Sequence, residues 1–237
     1  MSESLVKVWY RGAWWLWLLW PLSLVYRALR RLLLACSPRP QPNPLSLLVV
    51  GNISLGGTGK TPVVQALVRT LADRGLHCGI ISRGYAGEVG TGPKLVTADD
   101  SPNSVGDEPY LLWQTTGAPV AVGSNRQAAI KLLAARGDLD LIISDDGLQN
   151  RAIKGDCEWL LVDGQRGLGN GQCLPMGPLR EPVRRLLNVD AVLVVSGMPE
   201  RLPRGLPEAI ESLYYIAPQL TALKRLYDDK PVAWPAA

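Results

Sequence analysis

The stretch LLVVGNISLGGTGKTP, residues 47–62, decides the fold. Its first four residues form a continuous apolar run of the kind buried on both faces of a parallel sheet. A glycine-rich turn follows and closes on Gly59, Lys60 and Thr61, and a helical pattern then runs over 61–74. Strand, glycine turn and helix in that order make a phosphate cradle. Glycines let backbone N–H groups turn inward, the helix N-terminus adds positive potential, a lysine reaches the β and γ phosphates, and a hydroxyl holds Mg²⁺. Lys60 and Thr61 fill the last two roles, and Ser54, Leu55, Gly56, Gly57, Thr58 and Gly59 form the loop. Ser54 stands where the strict GxxxxGK[ST] spacing has glycine, so the loop is a variant in which Gly51, Gly56 and Gly57 supply the flexibility.

Outward from this loop, further short apolar runs at 78–82, 119–122, 139–144, 159–162 and 191–195 read as strands, and 126–136 reads as a helix. Their alternation predicts an α/β fold, a P-loop NTPase-like and mostly parallel sheet with helices on both faces. Ligands of such sheets sit beyond the carboxyl ends of the strands. That edge receives Asp145 and Asp146 of DDGLQN, which follow the 139–144 run. One carboxylate can serve a metal while the other accepts a proton from an attacking hydroxyl. Asp107 and Glu108 in GDEP are a third acidic site or a plain turn. Arg83, Arg126 and Arg180 are candidate phosphate contacts.

Composition excludes several classes. At 47% hydrophobic and 19% charged, the 237 residues have ample material for a core. One histidine, His77, and cysteines at 36, 78, 157 and 173 leave no CxxC, HExxH or histidine cluster for zinc. The net charge of +4 suggests nucleic acid until its distribution is read. Residues 1–40 hold six Lys or Arg against one Glu, while the remainder is balanced at 19 basic and 20 acidic residues. Five of the eight tryptophans, at 9, 14, 15, 17 and 20, lie in the same stretch. Basic, Trp-rich and apolar together describe a segment at a membrane interface.

The uncharged run 12–26 has 15 residues. As a helix it is roughly 22 Å long, short of the ~20 residues a bilayer core requires. Pro21 interrupts it, and extension to Ala35 brings in Arg27, Arg30 and Arg31. Residues 1–36 are therefore expected to be an interfacial, monotopic helix on the cytoplasmic face of a membrane, with a tilted single span as the alternative. The LLAC sequence at 33–36 sketches an export signal, but Arg30 and Arg31 break its apolar core. SPRPQPNP at 37–44 reads as a stiff linker, and 45–237 as the nucleotide-binding core.

SLGGTGKTP at 54–62, SRGYAG at 82–87, GDEP at 106–109, DDGLQN at 145–150 and GNGQCLPMGPLREP at 169–182 occur in this order behind a hydrophobic, basic N-terminus. Together they resemble the tetraacyldisaccharide 4′-kinase family of lipid A biosynthesis, inner-membrane enzymes that use ATP to phosphorylate the 4′-hydroxyl of a tetraacylated glucosamine disaccharide 1-phosphate. The resemblance runs from about residue 9 to the end. It implies ATP on residues 54–61, Mg²⁺ near Thr61, Asp107 and Glu108, and Asp146 as base with Asp145 supporting metal or geometry. It also implies Lys60, Arg126 and Arg180 on phosphate charge. The implied partners are the lipid disaccharide and the membrane surface, with no nucleic acid and no obligate protein. Two departures accompany it. Family members usually read DDGxQH where this chain has Asn150, and they continue past a point like 231–234 into a portion whose FPDHH-like motif supplies a histidine partner for the base. A C-terminal subdomain is thus expected to be incomplete, and a noncatalytic nucleotide-binding protein is the rival reading. A membrane-partitioning ATPase switch is disfavoured because Leu55 occupies the position where such switches carry lysine, and a GTPase because no NKxD motif occurs.

Overall fold

The computed structural model describes residues 3–37, 40–84, 92–150, 152–198 and 201–217, and the backbone of 223–224 and 231–232. Its centre is a sheet of eight strands. β1 (Ser46–Gly51) lies between β5 (Leu141–Asp145) and β6 (Cys157–Asp163). β2 (Cys78–Ser82), β4 (Val120–Val122) and the short β3 (Lys94–Leu95) continue outward from β5, and β7 (Ala191–Val195) and β8 (Leu213–Ile216) from β6. Only the edge pair β3–β4 is antiparallel. A separate antiparallel pair joins 223–224 to 231–232.

Side-chain alternation along the central strands sorts the core into layers. Leu48, Val50, Ile80, Ile143, Leu161 and Leu193 point to one face, covered by α3 (Lys60–Ala72) and α5 (Asp107–Thr116). Leu47, Val49, Ile81 and Ile142 point to the other, where α6 (Arg126–Ala134) packs with Ala129, Ile130 and Leu133. Over β6 and β7 this second face is closed by the largely irregular segments 164–198 and 201–210, through Leu168, Cys173, Leu179, Leu186 and Leu206. Strands buried on both sides need such double cover, and the continuous apolar runs in the sequence reflect it.

Sequence and structure differ at several edges. The expected 139–144 strand starts at Leu141, because Asp140 turns back to accept the His77 backbone N–H at 2.7 Å. GDEP is no plain turn: Gly106, at φ 96°, leads directly into α5, whose first turn carries Asp107 and Glu108. Pro21 does not break the N-terminal helix either. It sits in the first turn of α2 (Trp20–Cys36), where a missing N–H costs nothing. The breaks come earlier, where α1 (Glu3–Arg11) ends at Gly12, φ 74°, and a 3-10 turn over Trp14–Leu19 follows.

This N-terminal portion is docked on the nucleotide-binding body. Trp9 and Leu16 are each 1% exposed and cluster with Met176, with Leu55 and Leu174 packed alongside. The Trp9 indole N–H donates to the Pro175 carbonyl at 3.0 Å, and the Ser23 hydroxyl to the Cys173 carbonyl at 2.8 Å. The opposite side presents Trp14, Trp17, Leu18, Leu22, Val25, Leu29, Leu32 and Leu33 to the surroundings. Among the described residues, no helix is long and apolar enough to cross a membrane.

Candidate active site

β1, β5 and β6 are parallel, so their carboxyl ends deliver the glycine loop, Asp145 and Asp163 to one edge. The loop turns on Gly56 and Gly59, at φ 99° and 77°, a region that side chains avoid. Gly59 caps α3, so Lys60 and Thr61 occupy its first turn and its free N–H groups face the loop. The sequence-defined loop 54–61 is thereby assembled as one cradle. Its Ser54 forms a bridge with Leu179, the Leu55 N–H donates to the Pro178 carbonyl at 2.8 Å, and the Arg180 N–H donates to the Ile53 carbonyl at 2.6 Å. The loop is fixed along one side by the GPLREP segment.

Asp145 is the last residue of β5 and 2% exposed, while Asp146 beyond it adopts φ 51°. A positive φ at a non-glycine residue costs about 1–3 kcal/mol and collects at functional sites. The turn aims Asp146 between two cations: Lys60 Nζ lies 3.5 Å from its Oδ1, and an Arg180 guanidinium nitrogen 3.4 Å from its Oδ2. Lys60 also donates to Asn52 Oδ1 at 3.3 Å, and Arg180 to Gln149 Oε1 at 3.4 Å. Gln149 in turn donates to the Asn52 carbonyl at 2.8 Å and to Glu181 at 2.9 Å. Asp146, the loop lysine and Arg180 are thus one connected group.

Burial, followed by the negative charge of Glu108, raises the Asp145 carboxyl from 3.8 to about 6, although Lys60 and Arg126 oppose the shift. That Asp145 responds to Glu108 places the start of α5 in the same electrostatic neighbourhood. Arg126 is 3% exposed, and its burial lowers the guanidinium to about 10, still charged at neutral pH. It donates to the Asp145 carbonyl at 3.0 Å, so it props the turn from beneath. Arg83 is exposed at the end of β2, and 85–87 of SRGYAG lie outside the described residues.

Among the described residues, no group of three or more His, Cys, Asp or Glu is arranged to hold a metal. Magnesium in phosphate-transfer sites keeps several waters and takes one or two protein oxygens plus those of the substrate. The residues present suit that mode: Thr58 Oγ1 and Asp145 Oδ1 are buried without a hydrogen-bond partner. Asp107 and Glu108 are exposed and Thr61 is half-buried.

Asn52, Gln149, Glu181, Arg166 and Arg30 belong to the site without having been foreseen. Arg166 donates to the Gly57 carbonyl, pairs with Asp163 at 2.7 Å and lies over the Tyr10 ring at 5.9 Å. Arg30, on α2, pairs with Glu181 at 3.0 Å and donates to the Arg180 carbonyl. Asn52, Gln149 and Glu181 lie inside the quoted motifs, which assign them no task, and Arg166 and Arg30 lie outside the site motifs; what joins all five is the chain's return in three dimensions. Asn150 has a local task, its Oδ1 accepting the Ala152 N–H at 3.0 Å.

A family model for tetraacyldisaccharide-1-P 4′-kinase matches residues 15–231. The chain belongs to this kinase family. Similar curated proteins carry the name tetraacyldisaccharide 4′-kinase. That of Psychrobacter cryohalolentis is 48% identical over 201 residues, covering 81% of this chain and 53% of the relative. That of Alcanivorax borkumensis is 47% identical over 199 residues, covering 83% and 61%. That of Actinobacillus pleuropneumoniae serotype 5b is 43% identical over 220 residues, covering 91% and 65%. The chain therefore spans between half and two thirds of the length of these 4′-kinases. A solved structure of LpxK from Aquifex aeolicus, an "apo" form in complex with ATP, matches with a TM-score of 0.65 at 29% identity, over 80% of this chain and 62% of that one. The P-loop fold expected from residues 47–62 is thus shared with a solved 4′-kinase.

Proposed function

We propose that the chain carries the nucleotide- and acceptor-binding core of an ATP-dependent kinase acting on the 4′-hydroxyl of a tetraacylated glucosamine disaccharide 1-phosphate, at the cytoplasmic face of the bacterial inner membrane. Residues 1–36 serve as its interfacial foot, 37–44 as a linker and 45–237 as the kinase core. The reading is carried by one observation: Asp146 sits between the phosphate-loop Lys60 and Arg180, beside a loop packed on an N-terminal segment that exposes Trp and Leu.

Phosphoryl transfer depends on in-line positioning and charge neutralisation. Backbone N–H groups of 54–61 cradle the ATP phosphates. Lys60 already has two partners within 3.5 Å and exchanges Asp146 for phosphate oxygens when the nucleotide enters. The acceptor oxygen then forms its bond to the γ-phosphorus, the bond to the bridging oxygen breaks, and ADP departs with that oxygen. Asp146 takes the acceptor proton. Asp145 and Arg126 hold the turn that aims Asp146, and Arg180 offsets charge on the transferred group. Thr58 and Asp145, whose buried oxygens lack partners, together with Thr61, Asp107 and Glu108 would hold Mg²⁺, which would neutralise phosphate charge.

The test is turnover of the disaccharide with ATP, measured for the purified chain and for Asp146→Ala and Asp107→Ala. Loss of at least about 100-fold in Asp146→Ala supports the base assignment. The same loss in Asp107→Ala alone transfers the role to the start of α5. The rival reading, a nucleotide-binding protein without turnover, draws on Asn150, which is engaged in its own loop. ATP binding without any phosphorylation would favour it.

A further inference from the structure

The two ends of the phosphate loop are tied down by backbone. Ser54 and Leu55 are held on 178–179, and Gly59 runs into α3. The apex between them has little packing to fix it: Gly56 is at φ 99°, and a β-carbon added at Gly57 would meet nothing within 4 Å. Two side-chain donors hold its carbonyls instead. Asn52, fully buried just past β1, donates its Nδ2 to the Gly56 carbonyl at 3.3 Å, and Arg166 donates to the Gly57 carbonyl. In a trans peptide the carbonyl and the next N–H point in opposite directions. Holding the carbonyls of 56 and 57 therefore turns the N–H groups of Gly57 and Thr58 away from Asn52 and Arg166. Successive N–H groups presented in this way make an anion-binding nest.

Arg166 is itself seated by three elements. β6 runs beside β1, so Asp163 at its carboxyl end stands next to the loop. One Asp163 oxygen accepts the Arg166 backbone N–H at 2.9 Å, and the other accepts its Nε at 2.7 Å. The Tyr10 ring of α1 covers the guanidinium at 5.9 Å, a favourable cation–π approach. Tyr10 is fixed in turn, because its carbonyl accepts from Arg204 at 2.9 Å, and the Arg204 carbonyl accepts the Leu168 N–H at 2.9 Å. With its Nε on Asp163 and Nη2 on Gly57, the guanidinium has its charge offset and its direction set. That suits the holding of a peptide group more than the gripping of a phosphate.

We propose that Arg166 is a positioning residue of the phosphate loop. Through the Gly57 carbonyl it keeps the apex in the shape that receives phosphate, and Tyr10 extends this hold to the N-terminal segment. The proposal deepens the functional reading above, on which it rests only for the identity of the ligand.

The first measurement needs no nucleotide. Backbone ¹⁵N order parameters are compared between the full chain and Arg166→Met, which keeps the aliphatic stem and removes the donors. Gly57 and Thr58 are expected to fall from about 0.85 to below about 0.6, with Val49 in β1 unchanged. Tyr10→Leu is expected to produce part of the same fall. The second measurement is titration calorimetry with ATP and with AMP, which lacks the phosphates that the apex would receive. The ratio of the two affinities is expected to drop about tenfold in Arg166→Met and to recover at least about threefold in Arg166→Lys, which restores a donor. Equal weakening of ATP and AMP without recovery in Arg166→Lys would signal a general loss of structure and overturn the proposal. So would an unaltered ratio. Weaker ATP binding with unchanged order parameters would assign the guanidinium directly to phosphate, which also overturns a positioning role. If the parent binds neither nucleotide, the functional reading fails, while the order parameters still decide whether Arg166 holds the apex.

Discussion

At the scale of single residues the site is built on opposed charges, and Asp145 shows the cost. Its carboxyl titrates near 6 in the folded protein, above its ordinary 3.8, because burial disfavours the charged form. The folded state therefore holds this proton more tightly than the unfolded chain. The penalty is absent below pH 3.8, develops as pH rises, and is complete above about 6. Asp145→Asn is expected to raise stability by about 1–3 kcal/mol near pH 8 and to give no gain near pH 3.5, measured by denaturant unfolding at both values. A loss at the higher pH would show that the charged form is favoured by its neighbours. Lys60 has the opposite charge, and its amine is shared between Asn52 and Asp146. Lys60→Ala is expected to lower kcat/KM at least about 100-fold and to weaken ATP binding, as read by titration calorimetry. Both residues were legible in the sequence because glycine loops and paired acids after a strand have local signatures. Asn52 and Gln149 were not. An amide that links two loops has no pattern until the chain brings the loops together.

Among the elements, α2 and the GPLREP segment form the coupling that matters most. The Tyr26 hydroxyl donates to the Arg180 carbonyl at 3.0 Å, Arg30 donates to the same oxygen, and the Arg180 N–H reaches back to Ile53. Arg30→Met keeps the aliphatic stem and removes the charge. It is expected to speed amide hydrogen exchange at Leu55 and Arg180 by about tenfold or more, with Val120–Val122 unchanged. Unaltered exchange at those two amides would show that the segment holds itself. Strand runs were readable here because burial on both faces removes polar residues altogether. α5 was not, since DEPYLLWQTT carries four consecutive bulky residues and shows no stripe; Leu112 is buried while Leu111 is 44% exposed. Helices that pack by a narrow contact leave little periodicity to detect.

At the scale of the whole molecule, the N-terminal segment packs on the body with one side and leaves the other exposed. Trp9 and Leu16 fill a cluster with Met176, while Trp14 and Trp17 face outward. Deleting residues 1–36 is expected to do two things at once. Vesicle flotation should fall to background, and Tm should drop by about 5–10 °C because a buried tryptophan and its hydrogen bonds are lost. An unchanged Tm would mean the docking contributes nothing to stability. The basic, tryptophan-rich composition led to the expectation of a membrane-facing segment, but nothing in it distinguished tryptophans that turn inward from those that turn outward. That choice is made by a partner surface more than 150 residues away, where Pro175 accepts the Trp9 indole N–H.

The position of β1 has a consequence for how the chain is made. Ser46 pairs with Leu141 on one side, and Leu48 with Cys157 on the other. During synthesis the strand leading into the glycine loop emerges early, yet neither of its neighbours exists until about a hundred further residues have been translated. A parallel sheet assembled from such distant pairings folds slowly and exposes apolar strands meanwhile. Nascent chains ending before β6 would leave the LLVV run without cover, making this interval the point at which chaperone engagement on the ribosome is expected to peak.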